Sequence, residues 1–278
     1  MAVNFRWAMA LLRYTKKDLF LVLLGGLQFA LWLTVLCFFS ELSYLHLGLA
    51  SLLIAALICT NFQCVAHNFI HNPFFEAPFF NYLFSLMNTV NLGVPQTYYH
   101  AHHMNHHKYN NDRKKSEGTT QDESSIYRHG KGGEPEWILA YSLLSYFRAN
   151  FVGLYKGAVS FFGKFVVVET LFLVAFLVVL LILSPKGFVF YLVTGYLGNV
   201  LANMENYFEH FGAPGTNRKN DSVSCYNKIY NFLWFNNGYH QEHHYGPKVH
   251  WTMISKVKRS VDKEEDRRIV PYAHFMNF

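Results

Sequence analysis

Charge is scarce in this chain of 278 residues: Asp, Glu, Lys and Arg together make up 15%, well below the roughly 25% usual for soluble domains. With 51% hydrophobic and 18% aromatic residues, that scarcity excludes an ordinary water-soluble fold. It is still too polar for a bundle lying wholly in lipid, so membrane spans plus a water-facing part are expected. Cysteine is sparse as well, with four in all. Cys37, Cys59 and Cys64 sit in apolar stretches and Cys225 stands alone, with no C-x-x-C pair. A disulfide framework is thereby excluded, and a reducing compartment is expected. A signal-peptide pattern is also missing, because Arg6, Arg13, Lys16 and Lys17 precede an apolar run too long for such a segment. The net charge of +6 suits a surface beside anionic headgroups or an acidic protein partner. The basic residues flank apolar runs without any recognition motif, so no nucleic acid partner is expected.

A helix needs roughly 20 apolar residues to cross the hydrocarbon core. Four runs qualify, at about residues 19–39, 44–66, 165–183 and 188–207, with tight turns expected at 40–43 and 184–187. Residues 1–18, with Phe5, Trp7 and Tyr14, read as a basic lead-in at headgroup level. Residues 79–94 are apolar but short and carry Asn81, Asn88 and Asn91, which suits a re-entrant or buried segment better than a crossing. The polar stretch 108–136, with Gly130, Gly132 and Gly133, is expected to be a mobile, water-facing excursion. Residues 137–155 contain Arg148 and read as an interfacial helix. The expected fold is an all-α membrane protein. Its four transmembrane helices form two hairpins, and a helical cap (67–164 and 208–278) completes a single domain.

Nine histidines stand out against this background. On a helix, positions three and four apart share a face. His240, His243 and His244 read H-x-x-H-H and can aim three imidazoles at one point; His103, His106 and His107 repeat the pattern. His67/His71 and Asn206/His210 are i, i+4 pairs. Neutral imidazole is the commonest metal-ligating side chain. One such residue would be ordinary, but four ligand-spaced groups point to a metal site with nitrogen enough for two ions. Because His102 adjoins His103, the second group also reads H-x-x-x-H-H from His102. Helical geometry favours His103, whose partners lie about 60° and 40° away, against about 140° for the last partner of His102. The chain lacks the Glu-x-x-His pairs of soluble di-iron bundles and the H-E-x-x-H of zinc proteases. Nine imidazoles also exceed a four-ligand structural zinc site. Nitrogen ligands with an open position suit iron that activates oxygen.

Asn199, Asn203, Asn206 and His210 make one polar stripe on the fourth run, and polar groups inside a span normally face its interior or a cavity. Asn206 is expected to reach a metal through water. Glu205 and Glu209 read either as partners for ring N–H groups or as solvated residues. His100 and His129 are expected at the surface or behind the ligands, and His46, His250 and His274 fall outside the ligand groups.

The order H-x-x-x-H, H-x-x-H-H, N-x-x-x-H, H-x-x-H-H resembles the membrane fatty acid desaturase and alkane hydroxylase superfamily over about residues 60–250. The stretch from Asn206 through Glu209, His210 and Gly212 is similar to the N-Y-x-E-H-x-G of bacterial alkane hydroxylases, whereas His106-His107-Lys108-Tyr109-Asn110-Asn111 looks more like acyl desaturases. The resemblance implies a non-haem di-iron centre (two Fe), O2, and electrons from an external donor such as a ferredoxin, a rubredoxin or a small haem cytochrome. It also implies a lipid or fatty acyl substrate. The expected function is an oxidoreductase, a fatty acid (acyl lipid) desaturase, with a hydroxylase of the alkane-monooxygenase type as the alternative. A non-catalytic membrane metal-binding protein is the rival from another class.

Of the 24 Lys and Arg residues, only Lys186 falls in the two turns. The positive-inside rule therefore puts both termini and every histidine group on the cytoplasmic face. Single cysteines replacing Glu41 or Lys186 should react with impermeant reagents from the non-cytoplasmic side, and those replacing Ser116 or Lys219 from the cytoplasmic side. Labelling of Ser116 and Lys219 positions from opposite sides would end the single-site reading.

Overall fold

The computed structural model describes residues 11–113, 118–263 and 266–277; Phe5, Trp7 and Ser116 lie outside the described residues. It is mostly helical. Four helices are long and apolar enough to cross a membrane: α1 (Asp18–Cys37), α2 (Tyr44–His71), α7 (Phe165–Leu183) and α8 (Pro185–His210). Between them lie α3 (Pro78–Leu92), α4 (Gln96–Tyr109), α5 (Ile138–Arg148) and α6 (Phe151–Phe162). Beyond them come a two-residue parallel pair, β1 (Ser224–Cys225) with β2 (Ile269–Val270), and the short helices α9 (Lys228–Leu233) and α10 (His240–Tyr245).

Two of the expected boundaries shift, and both shifts concern histidines. The second span does not stop at 66 but continues to His71 through a π-helical stretch, Asn61–Ala66. Such stretches widen the helix locally and re-aim the side chains of the next turn. The fourth begins at Pro185 rather than after a turn, because proline fits the first helical position, where its missing N–H would be unpaired anyway. It runs on to His210.

The chain divides into two compact units, one of residues up to His100 with Tyr155–Asn199, the other of Ala101–Leu154 with Val200–Phe278. In the first unit the asparagines of α3 explain why this helix lies against spans. Asn91 donates to the Gly25 carbonyl at 2.9 Å and its own carbonyl accepts from Gln28 at 2.9 Å. Asn61 donates to Gln28 Oε1 at 2.7 Å and to Asn88 Oδ1 at 3.0 Å. These groups are buried, and unpaired they would be costly in lipid. Glu169 of α7, also buried, accepts from Ser85 Oγ at 2.6 Å and from the Thr97 N–H at 2.8 Å. Its carboxylate thus caps the first turn of α4, where negative charge is favoured. Leu23, Leu27, Leu171, Val178 and Ile182 face outward, as lipid-facing residues of spans should.

The second unit has a small core of Ala213, Val223, Cys225, Tyr230, Val270 and Ala273, and a second of Ile126, Tyr127, Tyr141, Tyr207 and Phe208. The stretch expected to face water does so only in part: Asn111, Asp122, Ser125, Ile126 and Tyr127 are buried and Ile126 N–H donates to Asn111 Oδ1 at 2.9 Å, while residues 131–134 are exposed and 114–117 lie outside the described residues. The single helix expected at 137–155 is instead two: α5 ends at Arg148, the chain turns at Ala149, and α6 begins at Phe151.

Gly198 of α8 marks a close helix contact: a Cβ there would sit 2.5 Å from Ile58 Cβ, whereas one at Gly195 would meet nothing within 4 Å. Gly198→Ala should destabilise the protein by about 1–3 kcal/mol through overpacking. Gly195→Ala should be neutral or gain about 0.5–1 kcal/mol of helix stability. Thermal unfolding in detergent checks the pair; equal shifts would refute the close contact.

Candidate metal centre

The second unit gathers seven of the predicted ligands. From α4, α8 and α10 respectively come His106, His210, and His240 with His244, whose ligand atoms all lie within 4.8 Å of one another, with all four residues buried. His106 Nε2 is 3.2 Å from His244 Nε2 and 3.1 Å from His210 Nε2, and His240 Nε2 is 3.4 Å from His210 Nε2. Beside them His103, His107 and His243 form a second group, with His243 Nε2 at 2.9 Å from His107 Nε2. The His103 and His107 rings are 4.5 Å apart. His103 therefore takes part, while His102 belongs to neither group among the described residues. In the first unit His67 and His71 lie a turn apart at the end of α2, ring centroids 5.3 Å apart, with His67 Nδ1 on the Gln63 carbonyl at 3.0 Å. Asn206 donates to Tyr141 Oη at 2.7 Å.

These rings are held from behind. His106 Nδ1 donates to Asp122 Oδ2 at 2.8 Å, and Asp122 in turn accepts from the Asn111 N–H at 2.7 Å and from Ser124 Oγ at 2.7 Å. His210 Nδ1 donates to the Asp221 carbonyl at 3.1 Å, and Asp221 Oδ1 faces His244 Nδ1 at 3.7 Å. Burial presses the His106 imidazole toward neutrality, but the Asp122 charge and hydrogen bond overcome it and raise its pKa. Burial alone would lift Asp122; His106 and Ser124 hold it far below the usual carboxylate range. Asp221 is pushed up to about 6 by burial. His244 is driven well down by burial and by the neighbouring histidines. Glu242, at the centre of the last histidine group, is buried and accepts from Ser224 Oγ at 2.8 Å, from Tyr226 Oη at 2.5 Å and from Arg267 at 3.1 Å.

The donor set fits a cation. With Nδ1–H committed to Asp122 and to the Asp221 carbonyl, neutral His106 and His210 turn their Nε2 lone pairs toward each other. Such lone pairs repel unless they share a positive charge. Nitrogens about 2.0–2.1 Å from one metal ion lie about 3.0–3.4 Å apart, which the three observed spacings match.

Several of these functional residues carried no sequence signal. Asp122 stands 16 positions from His106 and Asp221 stands 11 from His210, each beyond the end of the helix that carries the histidine. Glu205 and Glu209, read as either partners or solvated, are buried. They face His274, which lies outside every ligand-spaced group in the sequence yet is buried, with Nδ1 3.6 Å from each carboxylate. Burial lowers the His274 pKa, but the two glutamates carry it up to about 9. His100 is not at the surface but half-buried against the Phe161 and Phe162 rings.

Four apolar helices and clusters of ligand-spaced histidines that could hold a metal define a class, that of histidine-rich membrane proteins. Residues 42–275 match the family described as Fatty acid desaturase. The chain belongs to that family, whose members are membrane oxidoreductases acting on lipids and are typically metal-dependent. Neither curated proteins nor solved structures give a match.

Asp122→Asn should lower metal affinity at the His106 group by about 10- to 100-fold, as loss of a partner behind a ligand typically does. Metal retained per chain after challenge with graded chelator measures this; unchanged retention would mean that Asp122 does not orient His106.

Proposed function

We propose that this protein is an O2-dependent di-iron oxidoreductase of the membrane that desaturates an acyl chain. The observation that carries the reading is the pair of histidine groups, one of four buried imidazoles and one built on His103, His107 and His243, in a chain of the desaturase family. His67 and His71, which precede them in the motif order, complete the nine-histidine set, and Asn206 acts through water. Iron is favoured over structural zinc because the nitrogen ligands exceed four. The bound metal supplies the power to break an unactivated C–H bond.

The protein's part is positional. Asp122 and Asp221 fix ring orientations, Glu242 anchors the helix that carries His240, His243 and His244, and burial of the four imidazoles limits access of water to them. In desaturation two hydrogens leave adjacent carbons, and with O2, two electrons and two protons they yield the alkene and two waters. In hydroxylation one C–H becomes C–OH and one water forms. The outcome depends on how the chain is held, since a displacement of about 1 Å can alter a rate roughly 100-fold. The His106 to Asn111 segment favours desaturation, and the Asn206 to Gly212 segment keeps hydroxylation as the second reading. Electrons come from a separate small redox protein, for which the basic surface is a dock, and the histidine groups face the cytoplasm.

Expression in a host with simple lipids, followed by gas chromatography and mass spectrometry, should show fatty acyl products lighter by two mass units. Products heavier by sixteen alone would favour the hydroxylase, and unchanged lipids in a host with a competent donor would favour a non-catalytic metal-binding protein. In the same assay His103→Ala should abolish product and His102→Ala should retain most of it.

A further inference from the structure

We propose that α9, together with residues 272–277, is an in-plane membrane anchor whose apolar face lies at the headgroup–acyl boundary of the bilayer that α8 crosses. This short helix has two faces. Inward, Tyr230 and Asn231 are buried. Tyr230 belongs to the small core with Val223 and Val270, and Asn231 Nδ2 donates to the Cys225 carbonyl at 2.8 Å. Outward, Ile229, Phe232 and Leu233 are 71, 82 and 59% exposed. Their i, i+3, i+4 spacing puts them on one side of the helix. Phe275 adds to this side, exposed and with its ring 6.3 Å from that of Tyr230, and Met276 beside it is exposed as well. One exposed apolar residue is ordinary, but a contiguous apolar face marks a surface that something covers.

The height at which this face is held says what covers it. Tyr230 Oη donates to Glu205 Oε1 at 2.6 Å, and Asn277 Nδ2 donates to the Phe208 and Phe211 carbonyls, each at 2.9 Å. Both segments therefore grip α8 between Glu205 and Phe211. With 26 residues, α8 is about 39 Å long against about 30 Å of hydrocarbon. The excess stands at headgroup level, and the last turns, with Glu205, Glu209 and His210, belong there by their polarity. Leu201, which faces outward, lies one turn or about 6 Å before Glu205. In-plane helices bury their apolar face about 5–10 Å into the headgroup–acyl boundary, so a helix tied to Glu205 sits at the depth where lipid covers such a face. The charges agree. Lys228 is exposed at the start of α9, and Lys258 Nζ lies 4.0 Å above the Tyr226 ring two residues earlier; cations so placed suit anionic headgroups. A soluble protein docking on the same face would have to displace lipid from it.

The test uses the full-length protein in nanodiscs of phosphatidylcholine and phosphatidylglycerol, with Cys37→Ser so that the remaining native cysteines are buried. Ile229→Cys, Phe232→Cys and Phe275→Cys each carry a nitroxide, with Leu201→Cys as the lipid reference and Arg218→Cys as the water reference. Collision with O2, which concentrates in lipid, is compared with collision with a water-soluble nickel chelate. The three labels should lose most of the nickel collisions seen at Arg218 and approach the O2 collisions seen at Leu201. Water-like values at all three, with lipid-like values at Leu201, would overturn the proposal and leave the face to a soluble protein. Water-like values at Leu201 too would overturn the reading of α8 as a span, and the anchor with it. A second measurement needs no substitution: wild type in nanodiscs containing a lipid with a diazirine on an acyl carbon near the glycerol, irradiated and mapped by mass spectrometry. Adducts within 228–233 and 272–276 are expected, and adducts confined to the spans would overturn the proposal.

Discussion

Imidazole lone pairs do not gather unaided. Four Nε2 atoms within 4.8 Å of one another repel, and burial removes the water that would screen them. The surrounding second unit can be understood as the apparatus that holds them there. Asp122 pins the His106 ring and is itself fixed by three donors from Asn111 and Ser124. Asp221 serves two rings, through its backbone carbonyl to His210 and its carboxylate facing His244. Glu242 is tied to Ser224, Tyr226 and Arg267, which anchors α10 to β1 and to the C-terminal segment. A buried charge of this kind needs its partners; Arg267 and Tyr226, themselves hydrogen-bonded, provide them.

The C-terminal segment also packs against the helix that carries His210. Asn277 donates to the carbonyls of Phe208 and Phe211, each at 2.9 Å, and accepts from Arg268 at 2.8 Å. It thereby satisfies backbone oxygens left open at the end of α8, as helix termini require. His274, three residues earlier, reaches Glu205 and Glu209 on the same helix. The last turn of α8 thus carries His210 on one side and two glutamates gripped by the C-terminal segment on the other.

The first unit meets a different constraint, the absence of water around its backbone and amides. Its solution is a continuous hydrogen-bonded set of Gln28, Asn61, Asn88, Asn91 and Gln96. Each member is buried, so each would be expensive in lipid if left alone. Every member makes at least one hydrogen bond within the set, while Asn61 Oδ1, Asn91 Oδ1 and Gln96 Nε2 make none among the described residues. Glu169 extends the same logic to α4, whose first turn it caps before the helix runs on to its histidines.

The sequence alone determined the features that repeat on a short scale. Twenty-residue apolar runs gave the four spans, and ligand spacing of three and four gave the histidine groups, because helical neighbours along one face are set by local geometry. The choice of His103 over His102 followed from that geometry, and His103 is the one grouped with His107 and His243. Only tertiary structure could decide the rest. Asp122 reaches His106 across 16 positions and His274 reaches Glu209 across 65, contacts made by loops whose path no periodicity encodes. For the same reason 108–136, polar and glycine-bearing, read as a free excursion: its composition is that of a loop, and its burial depends on the segments it folds against. Pro185 and the π-helical stretch before His67 were likewise ambiguous, since a proline suits a turn or a first helical residue equally well. Chain neighbours fixed which residues could act together, and packing between distant segments fixed which of them do.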